Sequence, residues 1–305
     1  MWWPPRSRTC VADVNSPGPR PTLCGRPVPV DRALVMAIVN RTPDSFYDRG
    51  SYFAVDAALD RVDAAVAEGA DVIDVGGVKA GPGHTVDAAE EIARTVPFIA
   101  QVRERHPDLL ISVDTWRSSV AEAAVDAGAD LINDTWAGAD RDLPRVAAET
   151  GAGLVCSHTG GAVPRSRPFR VRYADVVAEV RDHLVAAAEA ACAAGVREDG
   201  IVIDPTHDFG KNTHHGLTLL RHLDALVDTR WPVLMALSNK DFIGETLDVG
   251  LEARVAGTLA ATALAAHDGA RIFRVHQVAD TRRVVEMVAA IDGARPPART
   301  VRGLA

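Results

Sequence analysis

Eight short apolar runs, separated by alanine-rich stretches of helical period, constrain this chain more than any other feature. The runs cover residues 33–40, 71–77, 109–115, 130–136, 153–158, 201–206, 232–238 and 271–277. Continuous apolar runs of this length suit parallel strands covered on both faces. Between them, residues 55–68, 88–105, 118–127, 173–194, 217–228, 253–266 and 281–291 carry helical spacing. Several helical stretches run out at a glycine (Gly69, Gly128, Gly269), which fits the left-handed position that closes a helix. Eight strands alternating with helices is the count of a (β/α)8 barrel of ~250 residues, and a doubly wound sheet is the runner-up. Polar residues favour the barrel. They sit where each run ends: Asn40, Asp74, Asp114, Asn133 with Asp134, His158, Asp204, Ser238 to Lys240, and Arg274 with His276. One such residue is explained by capping the next helix. Eight strand ends that all carry polar groups fit one shared site at the C-terminal face of a barrel.

The flanks read differently. Residues 1–30 hold seven prolines and little apolar periodicity, and are expected to form a disordered or extended tail. The barrel is expected over 31–295 as a single domain, with a short C-terminal tail at 296–305. The formal charge is −8 and no strongly basic run occurs, which argues against nucleic acid as a partner. No apolar run reaches the ~18 residues a membrane span needs, and the first residues do not read as a signal peptide. The four cysteines (10, 24, 156 and 192) are too widely spaced for a disulfide framework or a zinc site. Free thiols in a reducing cytoplasm are the expectation. Only three of the 33 basic residues are lysine, namely Lys79, Lys211 and Lys240, and all three align with loops that follow strands. That pattern predicts an electropositive mouth on an acidic protein, with Lys79 a candidate for binding an anion.

Five segments carry chemistry. Asn40-Arg41-Thr42-Pro43-Asp44-Ser45-Phe46-Tyr47-Asp48-Arg49-Gly50 follows the first strand. Ser112-Val113-Asp114-Thr115 ends the third and Ile132-Asn133-Asp134 the fourth. Asp204-Pro205-Thr206-His207-Asp208-Phe209-Gly210-Lys211 follows the sixth, and Arg274-Val275-His276 lies on the eighth. Together and in this order they resemble the dihydropteroate synthases. The resemblance covers about residues 33–291. It implies a reaction in which p-aminobenzoate displaces pyrophosphate from 6-hydroxymethyl-7,8-dihydropterin pyrophosphate. It implies Asp114, Asn133, Asp204 and Lys240 around the pterin, whose edge presents donors and acceptors. It implies Asn40, Arg274 and His276 around the pyrophosphate, with Asn40 also a ligand of a largely hydrated Mg²⁺. A homodimer is implied as well, and Gly257 to Ala263 puts small residues on a helix that could pack closely across it. His207, His214 and His215 share one segment, where solvated loop histidines are expected rather than a metal site.

The departures from the family pattern are equally specific. The second-strand loop of the family, G-G-x-S-T-R-P-G, stands here as Gly76-Gly77-Val78-Lys79-Ala80-Gly81-Pro82-Gly83. The S-R-K element becomes Ser238-Asn239-Lys240. M-H-M becomes Ser157-His158-Thr159, and the stretch D-P-G-x-G-F-G has lost two glycines to Thr206 and Asp208. The residues aligned with the pterin and pyrophosphate remain, whereas the aminobenzoate side changes. An asparagine cannot supply the bidentate charge of an arginine. The expectation is a divergent second paralogue with a pterin-pyrophosphate-type pocket, a small anionic ligand, and impaired or lost synthase activity. Three alternatives stay open: a working synthase, a non-catalytic ligand-binding or regulatory barrel, and a pterin-dependent methyltransferase on the same barrel.

Overall fold

The structure, a computed structural model, describes residues 21–42, 53–81, 83–166 and 171–302. Of the sequence features above, residues 1–20, the Pro43–Gly50 part of the first-strand motif, Pro82 and residues 303–305 lie outside it.

A two-strand antiparallel hairpin comes first, β1 (Thr22–Leu23) and β2 (Arg26–Pro27). Eight parallel strands follow, alternating with helices: β3 (Leu34–Asn40), α1 (Phe53–Ala67), β4 (Val72–Gly76), α2 (Ala88–Arg105), β5 (Leu110–Asp114), α3 (Ser118–Asp126), β6 (Leu131–Asn133), α4 (Leu143–Thr150), β7 (Gly153–Ser157), α5 (Val176–Ala193) and β8 (Ile201–Asp204). The chain continues through α6 (Thr213–Arg221), α7 (Asp224–Val227), β9 (Leu234–Met235), α8 (Asp241–Leu247), α9 (Val255–Asp268), β10 (Ile272–Val275) and α10 (Val278–Ile291). The sheet runs β8-β7-β6-β5-β4-β3-β10-β9, and a parallel bridge between Ile203 and Val233 joins its two ends. The result is a closed (β/α)8 barrel, and all eight expected strands are present.

Two findings refine the expected boundaries. The extended tail expected over residues 1–30 is not what residues 21–30 form, because these are built into the fold. Leu23 and Val28 are buried among Leu34, Met36, Val72 and Leu110, at the start of the barrel strands. Asp199 anchors the hairpin from outside, accepting from Thr22 Oγ1 at 2.6 Å and from the Gly25 N–H at 2.9 Å. The hairpin therefore plugs the N-terminal end of the barrel. The single helix expected over 217–228 starts four residues earlier and is broken near His222 into α6 and α7. Helices α4 and α8 had no counterpart in the periodicity, since each spans only about two turns.

Gly69, Gly128 and Gly269 adopt φ of 96°, 111° and 110° and end their helices as expected. No single helix is long and apolar enough to cross a membrane.

The strand period of two does the rest. Residues 35, 37 and 39 of β3, 73 and 75 of β4, and 111 and 113 of β5 pack outward onto the helices. The alternate residues point into the barrel, apolar at the bottom (Leu34, Met36, Val72, Leu110, Leu131, Val155, Val202) and polar at the top. Asp74 stands one inward step above Val72, Asp114 two above Leu110, Asn133 above Leu131, Asp204 above Val202 and Arg274 above Ile272. The site is the upper continuation of the core.

Candidate functional site

At the centre of the barrel mouth Arg274 bridges two carboxylates. Its Nε donates to Asp74 Oδ2 at 2.6 Å and its Nη2 to Asp114 Oδ2 at 2.7 Å. Asp74 is fully buried and also accepts from Ser112 Oγ at 2.6 Å and, more weakly, from Asn133 Nδ2 at 3.3 Å. Thr135 Oγ1 donates to Asp114 Oδ1 at 2.7 Å. Burial pushes the Asp114 carboxyl up to about 6 against the opposing charge of Arg274. Burial alone would depress the Arg274 guanidinium, but Asp74 and Asp114 hold it firmly charged. Asp74 is thus the pivot of the centre. Sequence reading placed it at a strand end but gave it no role, although its inward register on β4 is the signal that finds it.

The loop after β8 closes one flank. Asp204 accepts the Thr206 N–H at 2.6 Å, and burial raises its carboxyl to about 6. Lys211 turns inward. Its Nζ donates to the carbonyls of His158 (2.7 Å), Phe209 (3.0 Å) and Thr206 (3.3 Å) and lies 3.0 Å from His158 Nδ1. Burial lowers Lys211 to about 7, and burial together with the Lys211 charge lowers His158 to about 3. Lys211 therefore ties the loops after β7 and β8 together and does not present a charge to the mouth, contrary to the expected trio of lysines. Lys240 does face the site, with Nζ 5.2 Å from the centre of the Phe209 ring. Lys79 is exposed on the loop after β4.

The remaining expected residues sit on the rim. Asn40 ends β3 in register with Gly76. A Cβ placed on Gly76 would lie 3.2 Å from Asn40 Oδ1 and 3.8 Å from Asp114 Oδ2, so both side chains border the space above that glycine. His276 is exposed, and its N–H donates to Ser238 Oγ at 3.2 Å. Crowding by the rim, and then the charges of Arg274, Lys240 and Arg61, bring its imidazole down to about 4. His207 is fully buried, not a solvated loop histidine, and burial lowers it to about 3. The His215 ring accepts from the Asn212 N–H in a capping box that starts α6. Asp134 accepts the N–H groups of Trp136 at 3.0 Å and Gly138 at 2.6 Å, and so fixes the turn that carries Trp136.

The diverged loop after β4 is fastened from outside. Arg94 donates to the Gly77 carbonyl at 2.9 Å, Arg117 to Val86 at 2.7 Å, and Arg165 to His84 at 2.6 Å. At the position of the missing family arginine, Asn239 adopts φ 57° and gives its N–H to Thr258 Oγ1 at 3.1 Å. Arg254 reaches this point, but its Nη1 is held by the Asn239 carbonyl at 2.9 Å and by Asp241 Oδ1 at 2.8 Å.

Two cavities flank Trp136. One, of about 310 Å³, is lined by Gly81, Trp136, Asp208, Phe209, Lys240 and Asp241. The other, of about 640 Å³, is lined by Trp136, His158, Tyr173 and His183 among others. Among the described residues no group of three or more His, Cys, Asp or Glu is placed to hold a metal by itself. Both Asp114 oxygens already face Thr135 and Arg274, whereas Asn40 Oδ1, over Gly76, is an oxygen donor of the kind a largely hydrated Mg²⁺ takes.

Residues 36–276 match the family of pterin binding enzymes. The chain is 68% identical over 287 residues to a Mycobacterium leprae protein named inactive dihydropteroate synthase 2, covering 93% of this chain and 99% of that one. It is 39% identical over 260 residues to the dihydropteroate synthase of Streptococcus pyogenes, covering 84% and 94%. Among solved structures, a Mycobacterium tuberculosis protein superposes with a TM-score of 0.71 at 57% identity over 90% of this chain and 99% of that one. The Xanthomonas albilineans dihydropteroate synthase with 4-aminobenzoic acid superposes with a TM-score of 0.81 at 40% identity over 90% and 98%. The chain belongs to the pterin binding enzyme family, as a divergent dihydropteroate synthase-like barrel.

Proposed function

We propose that this protein holds a pterin-type ligand at the barrel mouth and does not run the condensation of the pterin pyrophosphate with p-aminobenzoate at an enzymatic rate. The split within the mouth carries this reading. Asp114, Asn133 and Asp204 rise from strands into a buried cluster beside Lys240, and they supply the acceptors and donors a pterin edge needs. On the other side, Lys79-Ala80-Gly81 replaces Ser-Thr-Arg, and Arg254, the guanidinium that reaches the position of the lost arginine, is held by Asn239 and Asp241. With the two family arginines replaced by Gly81 and Asn239, the second substrate loses an anchor made in the transition state, which lowers kcat as well as affinity.

In this reading Arg274 and His276 face the pyrophosphate from β10, and Asn40 faces it from β3. A bound Mg²⁺ would neutralise part of the pyrophosphate charge, and Asn40 would be its protein ligand. Arg274 must then share its guanidinium between the ligand and Asp74.

A homodimer is proposed through α9 and α10, where Leu264, Met287 and Ile291 are exposed at 66%, 61% and 68%. The small residue Gly257 serves inside the chain instead, since a Cβ there would lie 2.6 Å from Ile243 of α8. The free thiols of Cys24, Cys156 and Cys192 support action in a reducing compartment such as the cytoplasm.

One experiment tests the central reading. Purified protein is given the pterin pyrophosphate, Mg²⁺ and p-aminobenzoate, and pyrophosphate release is followed; each ligand is also tested alone for a thermal shift, because binding raises stability by RT ln(1 + [L]/Kd). The expected result is a shift with the pterin pyrophosphate and no enzymatic release. Release at an ordinary enzymatic rate refutes the loss of activity, and no shift at any pterin concentration refutes the pocket.

A further inference from the structure

The smaller cavity beside Trp136 has the walls of an aromatic site. Trp136 and Phe209 meet edge to face with ring centres 4.9 Å apart, and the Lys240 ammonium lies over the Phe209 ring. Two of its acidic side chains are already matched within the chain. The Asp208 carboxylate accepts the peptide N–H of Asp241 at 2.8 Å and stands against the charge of Lys240. Asp241 in turn pairs with Arg254 at 2.8 Å. The Asp241 N–H and the charge of Lys240, two features that would attract a ligand carboxylate here, already face the Asp208 carboxylate. Asp208 also holds φ 73°, a left-handed backbone that favours glycine, at a point where the family motif carries glycine.

We propose that Asp208 is a specificity-determining residue: its carboxylate takes the place a ligand's carboxylate would occupy, so that this cavity accepts an uncharged aromatic amine or amide and rejects an aromatic carboxylate. A second carboxylate next to Asp208 would meet like charge in a partly desolvated site, and such juxtapositions are strongly unfavourable. The inference rests on reading this cavity as the aminobenzoate side of the mouth.

The test uses the full chain and two probes of nearly equal shape, 4-aminobenzoate and its neutral analogue 4-aminobenzamide. Each is titrated by calorimetry and by tryptophan fluorescence, with and without the pterin pyrophosphate. The protein should bind the amide roughly tenfold or more tightly than the acid. Asp208→Gly suits the left-handed backbone, frees the Asp241 N–H and removes the negative charge that opposes Lys240, so it should reverse that preference. Asp208→Asn keeps an acceptor without the charge and should fall between the two. Thermal melts show that both variants are folded. Equal binding of acid and amide by the unmodified protein, an unmoved ratio in Asp208→Gly, or no binding of either probe to any of the three proteins each overturns the proposal. The pterin pyrophosphate is titrated separately. If it fails to bind while the acid-to-amide ratio responds to Asp208, the pterin reading falls and the role of Asp208 stands.

Discussion

The two sides of this barrel mouth are built from different material. On the side proposed for the pterin, Asp74, Asp114, Asn133, Asp204 and Arg274 grow from strand ends, and their positions follow from the two-residue period of a sheet whose lower layers are packed core. On the side proposed for aminobenzoate, Lys79, Asp208 and Asn239 hang from loops, two of them at positive φ. A change on the first side disturbs a buried network, whereas a change on the second is absorbed by a loop. The comparison fits the departures in the loops after β4, β8 and β9, to which the end of β7 adds Ser157 and Thr159.

The sharpest way to break that comparison is to cut the strand-borne network at its pivot. Asp74→Ala leaves Arg274 buried with only Asp114, and strands the Ser112 hydroxyl and the Asn133 amide. Removing one partner of a buried pair costs about 3–5 kcal/mol, so chemical denaturation should show a loss of that order. Adding Arg274→Met removes the uncompensated cation, and the double variant should recover part of the loss through a favourable coupling. A cost below about 1 kcal/mol for Asp74→Ala would mean the pterin side is no more interlocked than a surface loop.

A smaller effect separates the sides by pH. The Asp204 carboxyl is raised to about 6 by burial, above the 3.8 of an exposed aspartate. Between those values the folded state binds more protons than the unfolded state, so this group's contribution to stability is full below about pH 4 and falls as pH rises through 6. Asp204→Asn keeps an oxygen for the Thr206 N–H and never ionises. It should therefore stabilise the protein by about 3 kcal/mol at pH 8 and by little at pH 4. The measurement is a pair of urea melts at each pH, and an equal effect at both would remove the buried-carboxylate account of Asp204.

This division also marks what the sequence could disclose. Strand ends were legible because burial on both faces forces a continuous apolar run, and the first polar residue after it must stand at the mouth. The partners within the mouth were not legible. Nothing in the spacing of Asp74 and Arg274, two hundred residues apart, shows that the guanidinium would choose Asp74 and Asp114. Lys211 read as a mouth cation because its position follows β8, yet the positive φ values at Thr206, Asp208 and Gly210 curl that loop so that the ammonium points back into three carbonyls. The hairpin at 21–30 was hidden by its prolines, and only Leu23 and Val28 betray the apolar plug. Sequence period fixes direction along a strand, but a loop's φ values decide where its side chains go.

The smallest effect belongs to Lys79, the lysine at the point where the loop after β4 leaves the family pattern. The side chain is exposed, and the loop around it is held by Arg94, Arg117 and Arg165 through backbone carbonyls, so Lys79→Ala removes no contact that fixes the loop. Stability should stay within about 0.5 kcal/mol of the unmodified protein. The substitution should act only on the ligand's charge, weakening the pterin pyrophosphate by a few-fold at low salt and by progressively less as ionic strength rises, because an exposed ammonium is screened within about 10 Å at 0.1 M salt. Titrations at two salt concentrations settle the matter. A loss of affinity that ignores salt would place Lys79 in direct contact with the ligand and make this loop part of the site, whereas unchanged affinity at both salts would leave anion recognition to the strand-borne Arg274 and its neighbours.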